Sequence, residues 1–177
     1  GCSPPAIAGA VSRKTHGSAG AFDITVAPAL GVERRSGGPT KLVVTFDKAI
    51  QGAGGLDLSD VALSSGTVTA VSIDGPELTI DMNGATNAAY LVVTFPGITD
   101  AYGTAVTTSL CLAVLTGDVN GDRGVNVFDL SAIRGVLNTP VTSANFTRDL
   151  TADGNINIFD MMVTKNNLNK TVAGSCP

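Results

Sequence analysis

Six aspartates mark where the chemistry of this chain is to be sought. Between Thr116 and Pro177 the acidic residues are Asp118, Asp122, Asp129, Asp149, Asp153 and Asp160, and there are no others. They fall into two runs, 118–129 and 149–160, whose matching positions differ by 31 in number. The first, fifth, ninth and last positions carry oxygen in both runs. In one they are Asp118, Asp122, Asn126 and Asp129, and in the other Asp149, Asp153, Asn157 and Asp160. Asn120 and Thr151 stand third, and Gly124 and Asn155 at the seventh position complete the two proposed ligand sets. Three carboxylates in one short loop repel each other unless a cation lies among them. Hard cations such as calcium take several oxygen ligands from a tightly curled loop, and this spacing supplies them. Asp and Asn also favour ordinary turns. Two copies in register argue for the metal, so the expectation is two Ca²⁺ sites.

The elements that must hold these loops are short. Val127, Leu130, Ile133, Val136 and Leu137 follow the first loop at helical spacing, and Thr139-Pro140 ends the pattern. Ile158, Met161, Met162 and Leu168 repeat it, ending near Asn169. A turn or short helix around Ser143–Phe146 is expected between the copies. Upstream the signal is β. Ala6–Ser12 reads as an edge strand, and Phe22, Ile24 and Val26 alternate with polar residues. Further strands are expected at 41–46, 67–73 (read as a clean alternation), 78–82, 90–95 and 105–115. Turn clusters such as Ser36-Gly37-Gly38-Pro39 and Asn83-Gly84 separate them. Seven or eight short strands at this spacing predict an antiparallel β-sandwich. Thr116-Gly117, where the alternation stops, divides a sandwich at 1–115 from a calcium-loop module at 116–177.

Composition narrows the function classes. The chain has 177 residues, is 44% hydrophobic and 15% charged, and carries a net charge of −4. Scattered Lys and Arg argue against nucleic acid as a partner. No apolar run approaches the ~18 residues of a membrane span. Asp57, Asp60, Asp74, Asp81 and Asp100 are expected in turns or on outward strand positions, solvated, and no catalytic pair is evident. His16, the only histidine, lies in a polar stretch and is expected to be exposed rather than catalytic. Cys2, Cys111 and Cys176 allow at most one intramolecular disulfide, and a Cys2–Cys176 clasp of the termini is one possibility.

The doubled loop-and-helix unit resembles the type I dockerin family over roughly residues 116–170, and the domain before it resembles the immunoglobulin-like modules of large secreted bacterial proteins. Asp129 and Asp160 close the loops where an ordinary EF-hand has Glu. Leu112–Leu115 is β-like where an EF-hand has an entering helix, Val125 and Ile156 are expected to pair between the loops, and Arg134 and Lys165 are equivalent. Two departures stand out. Arg123 occupies the sixth position, where a sharp bend normally wants Gly, and a positive φ there costs roughly 1–2 kcal/mol. Thr151 replaces a carboxylate or amide. Both loops are expected to bind calcium, with unequal affinity.

The resemblance implies a non-catalytic protein–protein interaction module that binds a cohesin-like domain. The partner-facing positions it implies are Val127, Phe128 and Arg134 in one copy and Ile158, Phe159 and Lys165 in the other. Phe128 and Phe159 fit a core role as well as an interface role, and the residues alone leave this open. Calcium levels outside cells favour a secreted or cell-surface protein. Two alternatives stand beside this reading. The chain could be the C-terminal part of a polysaccharide-degrading glycoside hydrolase, with catalysis and any carbohydrate contact upstream. The tail could also be an intramolecular calcium-stiffened cap of a surface stalk.

Overall fold

Alternating apolar residues fold residues 7–114 into two facing sheets. The computed structural model describes residues 3–177. In chain order the strands are β1 (Ile7–Thr15), β2 (Ala21–Ala27), β3 (Val32–Glu33), β4 (Lys41–Phe46), β5 (Gln51–Gly52), β6 (Ala62–Leu63), β7 (Thr67–Asp74), β8 (Glu77–Asn83), β9 (Ala89–Thr94), β10 (Ile98–Thr99) and β11 (Leu110–Val114). One sheet has the order β2-β1-β4-β8-β7 and the other β3-β11-β9-β6, with β10 and β5 as a small pair. Neighbours are antiparallel except β11 and β3, which run parallel. Ile24, Leu42, Val44, Leu78 and Ile80 of the first sheet share a core with Leu91, Val93, Leu112 and Val114 of the second. Each such side chain contributes about 1.5–3 kcal/mol by leaving water, so the sheets have a core of their own.

The strands differ from the sequence expectation where tertiary partners intervene. β1 is not an edge: it pairs with β2 on one side and β4 on the other. It also runs on past Ser12, where the expected strand ended, through Arg13 and Lys14 to Thr15. Arg13 is neutralised by Asp23 across the pair, with Nε and Nη2 each 2.8 Å from a carboxylate oxygen. The alternation at 67–73 is interrupted by a bulge between Val68 and Ala70. The extra residue lets Val68, Val71 and Ile73 all pack against the core. The last strand is confined to Leu110–Val114, and Ala105 makes only an isolated bridge to Thr99. Asp60 and Asp100 occupy turns as expected, but they are buried rather than solvated. Their carboxylates accept backbone amides, Asp60 from Asp57 and Asp100 from Tyr102 and Thr104.

The C-terminal part packs directly on the sheets. Its helices α1 (Val127–Arg134) and α2 (Ile158–Asn166) contact each other, and a short 3-10 turn at Phe146–Arg148 lies between them. Both helices stop earlier than the apolar pattern continues. Asn138 and Asn169, equivalent in the repeat, take left-handed backbone soon after each helix. Leu115 and Val125 join Val32 and Ala113 in a second apolar cluster that belongs to both parts. A disulfide joins Cys111 on β11 to Cys176, with Cα atoms 5.9 Å apart. Cys176 is therefore bridged to Cys111 and not to Cys2, which lies outside the described residues. Among the described residues, no helix is long and apolar enough to cross a membrane.

Candidate metal loops and docking face

Each loop curls around the carboxylate at its first position. Asp118 Oδ1 accepts the amides of Gly121 and Asp122 (2.8 and 3.1 Å), and Oδ2 accepts that of Arg123 (2.8 Å). Asp149 repeats this with the amides of Asp153 (3.2 Å) and Gly154 (2.9 Å). The last position closes each loop. Asp129 accepts the amides of Asn120 and Asn126, and Asp160 those of Thr151 and Asn157. Asn126 and Asn157 cap α1 and α2 by accepting the amides of Phe128 and Phe159. The ninth and twelfth positions therefore form a capping box as well as belonging to the oxygen set.

The curl requires left-handed backbone at the fourth and sixth positions of both loops. The first uses Gly121 (φ 77°) and Arg123 (φ 71°), and the second Ala152 (φ 55°) and Gly154 (φ 90°). Arg123 thus adopts the conformation normally reserved for glycine, and the loop keeps its register. Each loop has one glycine and one residue with a Cβ at these two positions, in opposite order.

Val125 and Ile156 do not pair with each other. Val125 exchanges backbone hydrogen bonds with Asn169 and Lys170 beyond α2. Ile156 accepts the amide of Asn138 beyond α1, and Pro140 bridges to Asn155. Their side chains enter different cores, Val125 beside Leu115 and Ile156 beside Val119, Ile133 and Leu150. The crossing arises because each loop pairs with the segment that follows the other copy's helix.

The β-domain touches the two loops differently. In the first, Arg34 Nη1 donates to the Val119 carbonyl (2.7 Å). In the second, the Ser36 amide donates to the equivalent carbonyl of Leu150 (2.8 Å), and the Gly17 amide to that of Ala152 (3.1 Å). His16 is fully buried, against expectation, because the β1–β2 turn is pressed onto this loop. Its ring lies against the stacked pair Phe22 and Phe146, whose centroids are 5.0 Å apart, and is edge-on to both at centroid distances of 5.3 and 5.8 Å. Nδ1 stands 2.8 Å from Asp149 Oδ2. A lone histidine in a polar stretch carries no local sign of this contact.

Chemically the loops suit a hard cation. Asp118, Asp129, Asp149 and Asp160 have no exposed surface. Among the described residues none of them forms an ion pair with Lys or Arg. Burial pushes the Asp118 and Asp160 carboxyls above their ordinary value despite the amides they accept. Burial also acts on Asp149, but the hydrogen bonds from His16 and Gly154 outweigh it and hold that carboxyl below. Buried carboxylates are costly without a counter-charge. Among the described residues no three Asp, Glu, His or Cys side chains already converge on one point, and the carboxylates are satisfied chiefly by amides, with His16 added on Asp149 and the Thr151 hydroxyl on Asp160. Gly124 and Asn155 sit where backbone carbonyls enter such sets.

The positions after the ninth loop residue point outward. Val127 is 62% exposed, Phe128 71%, Ile158 64% and Phe159 60%. Arg134 and Lys165 are exposed on the same helices, and Met162 enlarges the second apolar group. Phe128 and Phe159 are therefore not core residues.

Residues 116–169 match the family model described as Dockerin type I domain. The match covers both loops and both helices and none of the β-domain. Domains of that family are calcium-binding, non-catalytic modules that bind cohesin domains. No curated protein matches the chain.

Proposed function

We propose that this chain is a calcium-dependent docking unit. Residues 116–177 bind two calcium ions and a cohesin-like domain, and residues 1–115 form an immunoglobulin-like support. Calcium would be held by Asp118, Asn120, Asp122, Gly124, Asn126 and Asp129, and by Asp149, Thr151, Asp153, Asn155, Asn157 and Asp160. The bound ion would supply the positive charge that the buried carboxylates lack.

One observation carries the docking half of this reading. Two apolar pairs, Val127-Phe128 and Ile158-Phe159, are exposed at equivalent positions of a duplicated unit. Paired exposed aromatics are unusual on a surface that meets only water. Their equivalence by repeat supports two alternative orientations of one partner, with Arg134 and Lys165 as matching outer contacts. The Cys111–Cys176 disulfide supports an oxidising, extracellular setting.

A second reading also has a specific observation behind it. The shared apolar cluster and the disulfide fix the tail to the sheets, as a calcium-stiffened cap would need. The test is capture of a cohesin domain by the intact chain in calcium and in a chelator. Calorimetry of the same chain should show two calcium ions taken up. Phe128→Ala with Phe159→Ala should weaken capture more than a hundredfold while leaving thermal stability within about 0.5 kcal/mol, as for other exposed sites. Loss of stability with capture intact would overturn the docking reading and favour the cap.

A further inference from the structure

We propose that His16 of the β-domain is a positioning residue for the second calcium loop. It would act through Asp149, so that the β-domain orients the first carboxylate of that loop but not the equivalent carboxylate of the first loop. The proposal rests on the calcium reading above.

The geometry fixes the ring's protonation. Arg35 Nη1 stands 3.2 Å from His16 Nε2, and a guanidinium can only donate. Nε2 therefore accepts, the proton resides on Nδ1, and it donates to Asp149 Oδ2 at 2.8 Å. Arg35 is itself held without freedom. Nε and Nη2 reach the two Glu33 oxygens (2.9 and 2.7 Å), Nη1 donates to the Phe22 carbonyl (3.0 Å), and Nη2 donates to the Ser12 carbonyl (2.7 Å). Ser12 donates its hydroxyl to Glu33 in turn. Glu33, Arg35, Ser12, His16 and Asp149 are all completely buried.

This arrangement orients a ligand without cancelling its charge. A lysine or arginine against Asp149 would compete with an incoming cation. A neutral imidazole N–H fixes the carboxylate's rotation and leaves its negative charge in place. Partners behind a metal ligand commonly change affinity by 10–100-fold. Asp118, the equivalent ligand of the first loop, receives only backbone amides of its own loop. Arg34 reaches that loop at a carbonyl instead. The support is thus specific to one of two otherwise similar loops.

Calcium titration of the full chain by calorimetry tests this, with one loop disabled at a time. With Asp122→Ala only the second loop is read, and with Asp153→Ala only the first. His16→Asn keeps a donor near the Nδ1 position, whereas His16→Gln places its amide near Nε2. His16→Gln should weaken the second loop's affinity 10–100-fold, His16→Asn should largely restore it, and neither should move the first loop. Nitrogen NMR of the ring should show the Nδ1–H form with and without calcium. Equal affinities for the two variants, equal losses in both loops, or an Nε2–H ring would overturn the proposal. Failure of the unaltered chain to take up calcium would overturn the underlying reading, and this proposal with it.

Discussion

The two loops share a hydrogen-bond skeleton and differ in what surrounds them. Both wrap amides around a first aspartate and close on a twelfth, and both bend through left-handed backbone at the same two positions. Their neighbours are not related by the repeat. The second loop receives His16, Gly17 and Ser36 from the β-domain, while the first receives Arg34 and pairs with residues 169–172 beyond α2. Duplication therefore accounts for the local geometry, and docking onto a non-duplicated domain accounts for the asymmetry.

The largest expected effect strikes the second loop. Glu33→Ala leaves Arg35 buried without its carboxylate, and breaking a buried pair costs about 3–5 kcal/mol. Thermal unfolding in saturating calcium should show this loss, and amide exchange should rise first in 149–157. The same pair gives a pH dependence. Burial raises the Glu33 carboxyl, but the Arg35 hydrogen bonds and charge prevail and hold it below its ordinary 4.5. Its stabilisation is therefore complete above that value and is lost as pH falls through the depressed one. Glu33→Ala should flatten this acid limb of the stability curve. Equal loosening of both loops would contradict the asymmetry.

A smaller effect should strike the first loop. Cys111–Cys176 secures the segment that pairs with Gly124 and Val125, whereas the second loop's partner, 138–140, lies well inside the chain. Replacing both cysteines by serine should lower stability by about 2–4 kcal/mol. Calcium affinity in the Asp153→Ala background should fall more than in the Asp122→Ala background.

The smallest effect should be the same in both loops. Arg123→Gly and Ala152→Gly each relieve a residue with a Cβ at positive φ, worth about 1–2 kcal/mol. Single-loop calcium affinities should rise comparably. A gain in only one loop would mean that the skeletons are less alike than their hydrogen bonds indicate.

The legible parts of the fold are those governed by near neighbours. The centres of the longer strands, the helix starts at Val127 and Ile158, and the curl of the two loops follow from alternation, capping residues and turn chemistry within a dozen residues, whereas the two-residue strands at 32–33, 51–52, 62–63 and 98–99 carry no such local signal. The helix ends were less legible, because Asn138 and Asn169 break the backbone while the apolar pattern runs on.

By itself the sequence determined the two curled loops, the oxygen-bearing side chains within them and the β-rich domain before them, since each depends on contacts between residues close in the chain. Tertiary structure alone decided that Phe128 and Phe159 face outward, that Cys176 meets Cys111, and that Val125 and Ile156 enter separate cores. It also brought His16 to Asp149 across 133 residues. Burial, not residue type, makes that histidine matter: a neutral ring in a polar turn acquires a role only when a second surface closes over it and removes the water that would otherwise take its hydrogen bonds.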